Sequence, residues 1–540
     1  MTDPGPVEAK ASPSNPSSSS SPPFGERHRT TFIVIGLMFG MLLGAIDQTV
    51  VGTAMPTIVG YLGGFSLITW ATTAYMLTST ASLPIFGKLS DLYGRRLFYL
   101  LGLGVFVGAS ALCGAAQSMP QLILFRALQG IGGGAMVPIA QTIVGDIFPG
   151  AQRARWQGIF TALFAVASII GPQVGGWIVD LWDWRWVFFV NLPVGLIAAV
   201  LVGVFLKETK DGRDRNVDYV GATAVVGAVV FLLLGLVQGG KDYPWLSLPI
   251  IARFAAATAF TVIFILAERR AKEPILPLDL FEERVFTVTN IVGFLMSLGM
   301  FGVVVFIPLF VQGVVGFSPS NAGSVMTPMM LVLVLASLVG GWLVLRVGFR
   351  TQMTLGMSII TGGFYLMSRL TPDTSKLQAV GSMLVVGFGL GLIMPILVLA
   401  VQEAFPKERL GVVTSSTAFF RSIGGTIGVT VLGVVMNHRA LALIRERMAT
   451  FSPAIPATYA SVLAGFKAQV TRDPESLFAV LVNRSAQRAL PPELLAPVMR
   501  MAKEILSQSI QTVFLVGLGL VAAGTVAALF MGRARLNHKA

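Results

Sequence analysis

One carboxylic acid of this chain lies deep inside an apolar stretch. Asp47 interrupts the run 31–52, whereas the other acids near apolar runs lie at their ends. A carboxyl group in apolar surroundings favours its neutral form, and a nearby cation favours the ionised form. Such a group can take up and release a proton, so Asp47 is the predicted proton-coupling residue.

Arg126 is a cation placed a few residues into the apolar run 121–143. On insertion scales a cation inside a membrane helix costs about 2.5–3.5 kcal/mol, so its presence requires a reason. We predict that Arg126 takes part in proton coupling together with Asp47. Two alternatives stay open: Arg126 extends to the outer membrane interface, or it holds Asp47 in a permanent ion pair.

A short segment of glycine and charged residues separates two apolar runs. The glycines allow a tight turn, and the acid and the arginines can pair with each other or with helix ends. The alternative is a solvated basic turn. The residues are Gly87, Asp91, Gly94, Arg95 and Arg96.

The overall composition excludes several classes of protein. The 540 residues are 54% hydrophobic and 12% charged, which is half the charge of an ordinary soluble domain. The net charge of +13 comes mostly from residues between apolar runs, where Lys and Arg orient a membrane protein rather than bind nucleic acid. A single cysteine, Cys113, and three histidines outside the runs predict no disulfide, metal, cofactor or enzymatic activity.

The apolar runs predict fourteen transmembrane helices. Lys and Arg are concentrated in the tails and in alternate loops, so both termini are predicted in the cytoplasm, in a multi-pass protein of the cell membrane. The predicted spans are 31–52, 67–87, 97–116, 121–143, 157–179, 186–206, 217–238, 248–267, 286–311, 322–345, 352–369, 377–402, 412–436 and 509–531.

An internal repeat organises these spans. Gly87 and Gly94 recur 254 positions later as Gly341 and Gly348, and the glycine cluster that starts at Gly130 recurs at 387. Two inserted spans preserve orientation, so the halves are parallel repeats about an axis along the membrane normal. The predicted segments are a disordered cytoplasmic tail 1–29, a six-helix bundle 30–206, two inserted helices 207–285, five helices of a second bundle 286–436, an extracytoplasmic loop 437–508, its last helix 509–531 and a cytoplasmic tail 532–540.

The loop 437–508 contains an amphipathic stretch. Its apolar residues fall on one helical face and predict a cap on the membrane surface or the transporter mouth. A partner-docking or substrate-handling element is the alternative. These residues are Leu494, Leu495, Val498, Met499, Ile505 and Leu506.

These motifs resemble the major facilitator superfamily, and within it the fourteen-helix drug–proton antiporters of the EmrB/QacA type. The resemblance covers about residues 30–435 and the last helix. It implies that the segment 87–96 latches the inward gate and that the fifth span carries an antiporter motif that seals the two halves against leak. The motif consists of Gly171, Pro172, Gly175 and Gly176.

The resemblance also implies a substrate cavity near the bilayer midplane, between the first and fourth spans and their repeats. Aromatic and Met side chains adapt to varied apolar substrates. The candidate pocket residues are Tyr75, Gln129, Asn290, Phe294, Met296, Met300 and Phe301.

The sequence therefore predicts a monomeric, proton-coupled antiporter that exports small lipophilic or cationic compounds (multidrug efflux). Its expected partners are the substrate, protons and the lipid bilayer, with no nucleic acid. A dedicated exporter of one native metabolite, lipid or antibiotic is the alternative on the same fold. A proton–nutrient importer and a non-transporting membrane sensor are two further possibilities.

Overall fold

The protein is built almost entirely of α-helices. A computed structural model describes residues 24–63, 67–207, 216–240, 242–315, 319–451, 459–472, 475–482, 488 and 490–532. The helices are α1 (Phe24–Leu62), α2 (Ile68–Tyr93), α3 (Arg95–Gly114), α4 (Met119–Ile147), α5 (Gly150–Leu181), α6 (Trp186–Phe189), α7 (Asn191–Phe205), α8 (Tyr219–Gln238), α9 (Leu248–Glu268), α10 (Arg284–Phe310), α11 (Pro319–Val347), α12 (Phe349–Met367), α13 (Lys376–Ala404), α14 (Leu410–Thr450), α15 (Ala460–Arg472), α16 (Glu475–Val482) and α17 (Pro492–Leu529).

Twelve helical segments within the described residues are long and apolar enough to cross a membrane. The other two predicted spans, 67–87 and 352–369, also form helices, α2 and α12. Their sequences contain more polar residues, which lowers their mean hydropathy. Helix α2 packs against α4 and α14, and α12 packs against α13 and α17, with Leu355, Tyr365 and Leu366 exposed.

The helix contacts repeat between the two halves. Helix α1 packs against α5 and α7, as α10 packs against α14 and α17, and the α2–α4 contact recurs as α11–α13. The halves meet along two related lines, α2 with α14 and α5 with α11. The inserted helices α8 and α9 pack against each other, and α8 also contacts α2. The predicted architecture of two six-helix bundles plus two inserted helices is confirmed.

The repeated glycines make equivalent contacts. A Cβ atom on Gly130 would lie 2.4 Å from the Tyr75 carbonyl oxygen, and one on Gly387 would lie 2.5 Å from the carbonyl oxygen of Met329. Met329 follows Tyr75 by 254 positions, close to the shift between the glycines. In both halves the missing side chain therefore lets the same two helices approach closely.

The turns between α2 and α3 and between α11 and α12 also match. Gly94 has a φ angle of 109° and Gly348 a φ angle of 77°. Both angles lie where residues with a Cβ atom are disfavoured. The two glycines thus occupy the tight turn that the repeated segment predicts.

The segment 437–508 differs from the expectation of a surface-lying helix. Helix α14 continues to Thr450 and α17 begins at Pro492, and both extensions pack with α15 and α16 around one apolar core. The predicted apolar face is buried or partly buried among these helices rather than presented to a membrane surface. Charged residues in both extensions lower the mean hydropathy, which is why one predicted span ends at 436 and the next begins at 509.

Two further boundaries differ. Residues 24–29 of the predicted tail belong to α1, and the rest of that tail, 1–23, lies outside the described residues. The Arg29 Nε donates a hydrogen bond to the Phe205 carbonyl oxygen at 2.7 Å, which ties the start of α1 to the end of α7. The span 186–206 is divided into α6 and α7. The carboxyl-terminal tail beyond Gly532 and part of the linker, 208–215, also lie outside the described residues.

Candidate functional site

Asp47 and Arg126 form an ion pair inside the first bundle. The Arg126 Nη1 lies 2.6 Å from the Asp47 Oδ2, and the two side chains are 1% and 0% exposed. Asp47 comes from the middle of α1 and Arg126 from the second turn of α4. The alternative in which Arg126 extends to the outer interface is wrong, because the buried carboxylate provides its counter-charge within the bundle.

A second layer of polar side chains surrounds this pair. The Gln129 Nε2 donates to Asp47 Oδ1 at 2.9 Å, and the Gln129 Oε1 accepts from Arg126 Nη1 at 2.7 Å. The Asn191 Nδ2 also donates to Asp47 Oδ1, at 3.3 Å. Asp47 thus accepts hydrogen bonds from the side chains of Arg126, Gln129 and Asn191.

Ser110 closes the network from α3. Its Oγ accepts hydrogen bonds from Gln129 at 3.2 Å and from Asn191 at 2.9 Å, and donates to the Phe188 carbonyl oxygen at 3.0 Å. Each member therefore has a partner, which a buried polar group requires. We call these five residues the coupling cluster: Asp47, Ser110, Arg126, Gln129 and Asn191.

Tyr75 lies at the edge of the coupling cluster. The Arg126 Cζ lies 4.4 Å from the centre of the Tyr75 ring, a cation–π contact. The Tyr75 hydroxyl interacts with the side chain of Gln48, which is exposed although it lies in the middle of α1. Tyr75 therefore connects the buried ion pair to an accessible position.

Sequence reasoning missed Ser110 and Asn191 as site residues. Both are polar residues in apolar surroundings, which is the signal that identified Asp47. Asn191 lies one turn into a predicted span, and Ser110 resembles the many hydroxyl residues that bond only to their own helix. Cys113 is buried as expected, with its Sγ 3.7 Å from Gln129 Oε1.

Asp91 joins the two halves. Its Oδ1 accepts from the Gly411 N–H at 2.9 Å and its Oδ2 from the Val412 N–H at 2.7 Å. Both groups belong to the first turn of α14, which has no side-chain cap of its own. A carboxylate at a helix amino terminus satisfies unpaired donors and interacts favourably with the helix dipole.

Arg95 holds Asp91 in place and adds contacts of its own. It pairs with Asp91, its Nε lies 3.1 Å from Asp146 Oδ2, and its Nη2 donates to the Lys407 carbonyl oxygen at 3.2 Å. A Cβ atom on Gly87 would collide with Ser415, so α2 and α14 touch here. We call Gly87, Asp91, Arg95 and the start of α14 the latch.

A second group of contacts joins the halves at the same end of the molecule. The Arg153 Nη1 lies 3.0 Å from Glu403 Oε1. Gln157 and Gln402, from opposite halves, share a buried hydrogen bond of 3.2 Å. The Ser337 Oγ donates to the Gly158 carbonyl oxygen at 3.2 Å. No sequence pattern predicted these contacts, because their partners are about 180 to 250 positions apart.

The glycine–proline motif of α5 lies within the first bundle. Cβ atoms on Gly171 and Gly175 would meet Thr49 and Thr53 of α1, whereas Gly176 faces open space and Pro172 is exposed. The described contacts of α5 with the second half involve Arg153, Gln157 and Gly158, which lie nearer its start. In this structure Gly171 and Gly175 pack against α1, and their sealing role stays a prediction.

The predicted pocket residues fall into two groups. Tyr75 and Gln129 contact Arg126. The others lie on α10, where Met296 is fully buried in the core of the second bundle. Asn290 donates to the Phe286 carbonyl oxygen at 2.9 Å, and its Oδ1 has no partner among the described residues. Phe294 lies against Gly424 and Phe301 lies against Gly425. Met300 is partly buried and packs against the core of the second bundle.

Comparison with known proteins agrees with this architecture. Residues 37–429 match the family model of the Major Facilitator Superfamily. The chain is 48% identical over 515 residues to the multidrug transporter protein MdtP of Bacillus subtilis, with 95% of each chain covered. It is 38% identical over 511 residues to multidrug resistance protein 3 of the same organism, with coverage of 95% and 97%.

Solved structures share the fold at low sequence identity. The proton:xylose symporter XylE superposes with a TM-score of 0.59 at 13% identity, covering 94% of this chain and 95% of XylE. The human organic anion transporter MFSD10 gives a TM-score of 0.58 at 15% identity, with coverage of 91% and 99%. The two repeated bundles, the latch and the matching family model together establish that this chain belongs to the major facilitator superfamily.

Proposed function

We propose that the chain exports small lipophilic or cationic organic compounds across the cytoplasmic membrane in exchange for protons. Two curated relatives that match along nearly the whole chain are named as multidrug proteins. The observation that supports the coupling of export to protons is the buried ion pair between Asp47 and Arg126. It puts a titratable carboxyl group between two helices of the membrane domain.

The contacts between the halves identify the closed side. The latch, the pair Arg153–Glu403 and the buried glutamines all lie at the end that holds the predicted cytoplasmic loops. The start of α1 joins the end of α7 there through Arg29. We therefore assign this conformation as closed to the cytoplasm, with both termini on that side, as the Lys and Arg distribution predicts.

In the proposed cycle, the Asp47 carboxylate is paired with Arg126 while the cytoplasmic side is closed. A proton that arrives from outside neutralises Asp47 and weakens this pair, and Tyr75 offers the guanidinium an alternative contact. The halves then rearrange, the proton leaves on the cytoplasmic side, and the substrate binds from there. Each proton contributes about 2.3 kcal/mol per 100 mV of membrane potential and about 1.4 kcal/mol per pH unit.

The substrate route is proposed to pass Tyr75 and Gln48, since these two residues link the coupling cluster to an accessible face. The aromatic and Met residues of α10 that are only partly buried, Phe301 and Met300, are the proposed apolar contacts. We propose that a monomer suffices, because Asp47, Arg126 and Tyr75 all come from one chain.

Reconstitution tests this function directly. Purified protein in vesicles with an imposed pH gradient should move lipophilic cations against their gradient, and substrate flux should be matched by proton flux. Transport of the same cations at equal rate without a pH gradient would contradict proton coupling.

A dedicated exporter of one native compound is the second candidate. The structured segment 437–508, with its own core of residues from α14 to α17, is the feature that motivates this alternative. A metabolite profile of cells that lack the protein, compared with a dye-efflux panel, separates the two functions.

A further inference from the structure

A basic cavity lies at the cytoplasmic end of the first bundle, outside the coupling cluster. Its volume is about 330 Å³, and it is lined by the ends of α1, α3 and α4 and by the chain that follows α7. Four of the lining residues are cationic and one is acidic. They are Arg29, Arg95, Arg96, Lys207 and Asp146.

The single acid does not neutralise this cavity. Asp146 is paired with Arg95 at 3.1 Å, and Arg95 is also paired with Asp91. Within the described part of the chain, Arg96 and Lys207 make no ion pair, and Arg29 bonds to a backbone carbonyl. Among the described residues, three cations around this cavity therefore have no acidic partner, which makes the site attractive to an anion.

Backbone donors face the same region. Helix α3 begins at Arg95, and its amino terminus has no side-chain cap. The first N–H groups of a helix are unpaired donors at the positive end of the helix dipole, and they favour a phosphate group. Guanidinium groups bind phosphate oxygens through two parallel hydrogen bonds. The cavity thus combines charge and donors suited to phosphate.

Exposed apolar side chains lie close in the chain to residues that line the cavity, since Phe32 precedes Ile33, Leu97 follows Arg96 and Val204 lies two positions before Leu206. Phe32 is 39% exposed and stacks on Phe205, with ring centres 4.7 Å apart. Leu97 is 44% and Val204 68% exposed. An anion that carries acyl chains fits this combination better than a free anion, because the chains can cover these side chains while the phosphate enters the cavity.

We propose that this cavity binds the phosphate group of an anionic phospholipid from the cytoplasmic leaflet. The proposal does not depend on the transport function. Because Arg95 belongs to both the cavity and the latch, the bound lipid would lie next to the contact that joins the halves.

Native mass spectrometry of the full chain in neutral detergent, titrated with phosphatidylglycerol, tests the proposal. Wild-type protein should retain phosphatidylglycerol in preference to phosphatidylcholine. Lys207→Gln should weaken the retention about fivefold, and Arg96→Gln with Lys207→Gln about thirtyfold. Arg350→Gln is the matched control, because Arg350 occupies the repeat position of Arg96 on an exposed site of the second half.

Lys207 is exposed, so its single variant should fold even if the double variant does not. Equal retention of phosphatidylglycerol by wild-type protein and Lys207→Gln would overturn the proposal. So would inorganic phosphate that displaces phosphatidylglycerol at equal concentration, since the ligand would then be a free phosphate. Equal loss in Arg350→Gln would show a general charge effect and would also overturn it.

Discussion

The coupling cluster and its repeat positions in the second half have opposite chemistry. The glycine contacts between helices relate α1 to α10, α3 to α12 and α4 to α13. They match Asp47, Ser110, Arg126 and Gln129 with Gly299, Phe364, Met383 and Val386. Phe364, Met383 and Val386 belong to the buried apolar core of the second bundle, and Gly299 packs against Phe364 and Val521.

The same backbone packing therefore serves two different purposes. In the second bundle the four positions supply apolar contacts that stabilise the core. In the first bundle they hold a charged pair, whose desolvation is costly and which hydrophobic residues could replace without loss of stability. The contrast supports the proposal that the polar residues of the first half serve proton coupling.

The largest effect is expected from Asp47→Asn. The amide keeps the size of the side chain but cannot take up a proton or balance Arg126. Proton-coupled efflux in vesicles should fall at least about tenfold, with normal amounts of protein in the membrane. Asp183→Asn, at an exposed ion pair outside the bundle, is the matched control and should transport normally. Wild-type efflux by Asp47→Asn would reject the role of this residue.

The second prediction concerns replacement of the buried ion pair by two apolar residues. Arg126→Met alone leaves a buried carboxylate without its partner, and the protein should lose about 3–5 kcal/mol of stability. Asp47→Val combined with Arg126→Met replaces both charges with apolar side chains and should recover most of that loss. Thermal unfolding in detergent measures both. Transport should remain absent in the double variant, and proton-coupled transport by it would refute the contrast between the halves.

The latch provides a third test. Asp91→Asn removes the charge at the amino terminus of α14, which is worth about 0.3–1 kcal/mol and should shift the population toward a cytoplasm-open state about two- to fivefold. Distances between spin labels on Gln152→Cys and Glu408→Cys report this shift. Leu345→Asn, at the repeat position of Asp91, should leave the distances unchanged. Equal shifts in both variants would show that the latch is not specific to the first half.

The smallest effect is expected when an acid is moved to the other half. Helix α5 begins at Gly150, so the N–H groups of Ala154 and Arg155 lie beyond the first turn and bond within the helix. These residues are the repeat partners of Gly411 and Val412, whose N–H groups bond to Asp91. Adding Leu345→Asp to an Asp91→Asn protein should therefore change the population of the cytoplasm-open state by less than about twofold, as measured by the spin-label distances. Full recovery would show that any acid at this end can close the protein.

The sequence alone determined which elements form and how they repeat. Apolar runs, glycine spacing and the distribution of Lys and Arg depend on neighbours along the chain or on a fixed shift, so they can be read without coordinates. Asp47 and Arg126 were found in the same way, because a charge inside an apolar run is visible in one dimension. The amphipathic face of α17 could also be predicted from the sequence, but the helices that pack against it could not.

Tertiary structure alone decided which of these residues meet. Asp47 and Arg126 are 79 positions apart, and Asp91 and Val412 are 321 apart, so no local pattern reports their contacts. The placement of Gly171 against α1, the burial of Met296 and the recruitment of Ser110 and Asn191 depend on how each helix is rotated about its axis. That rotation is set by packing against several neighbours at once, and a sequence of mostly apolar helices leaves it unspecified.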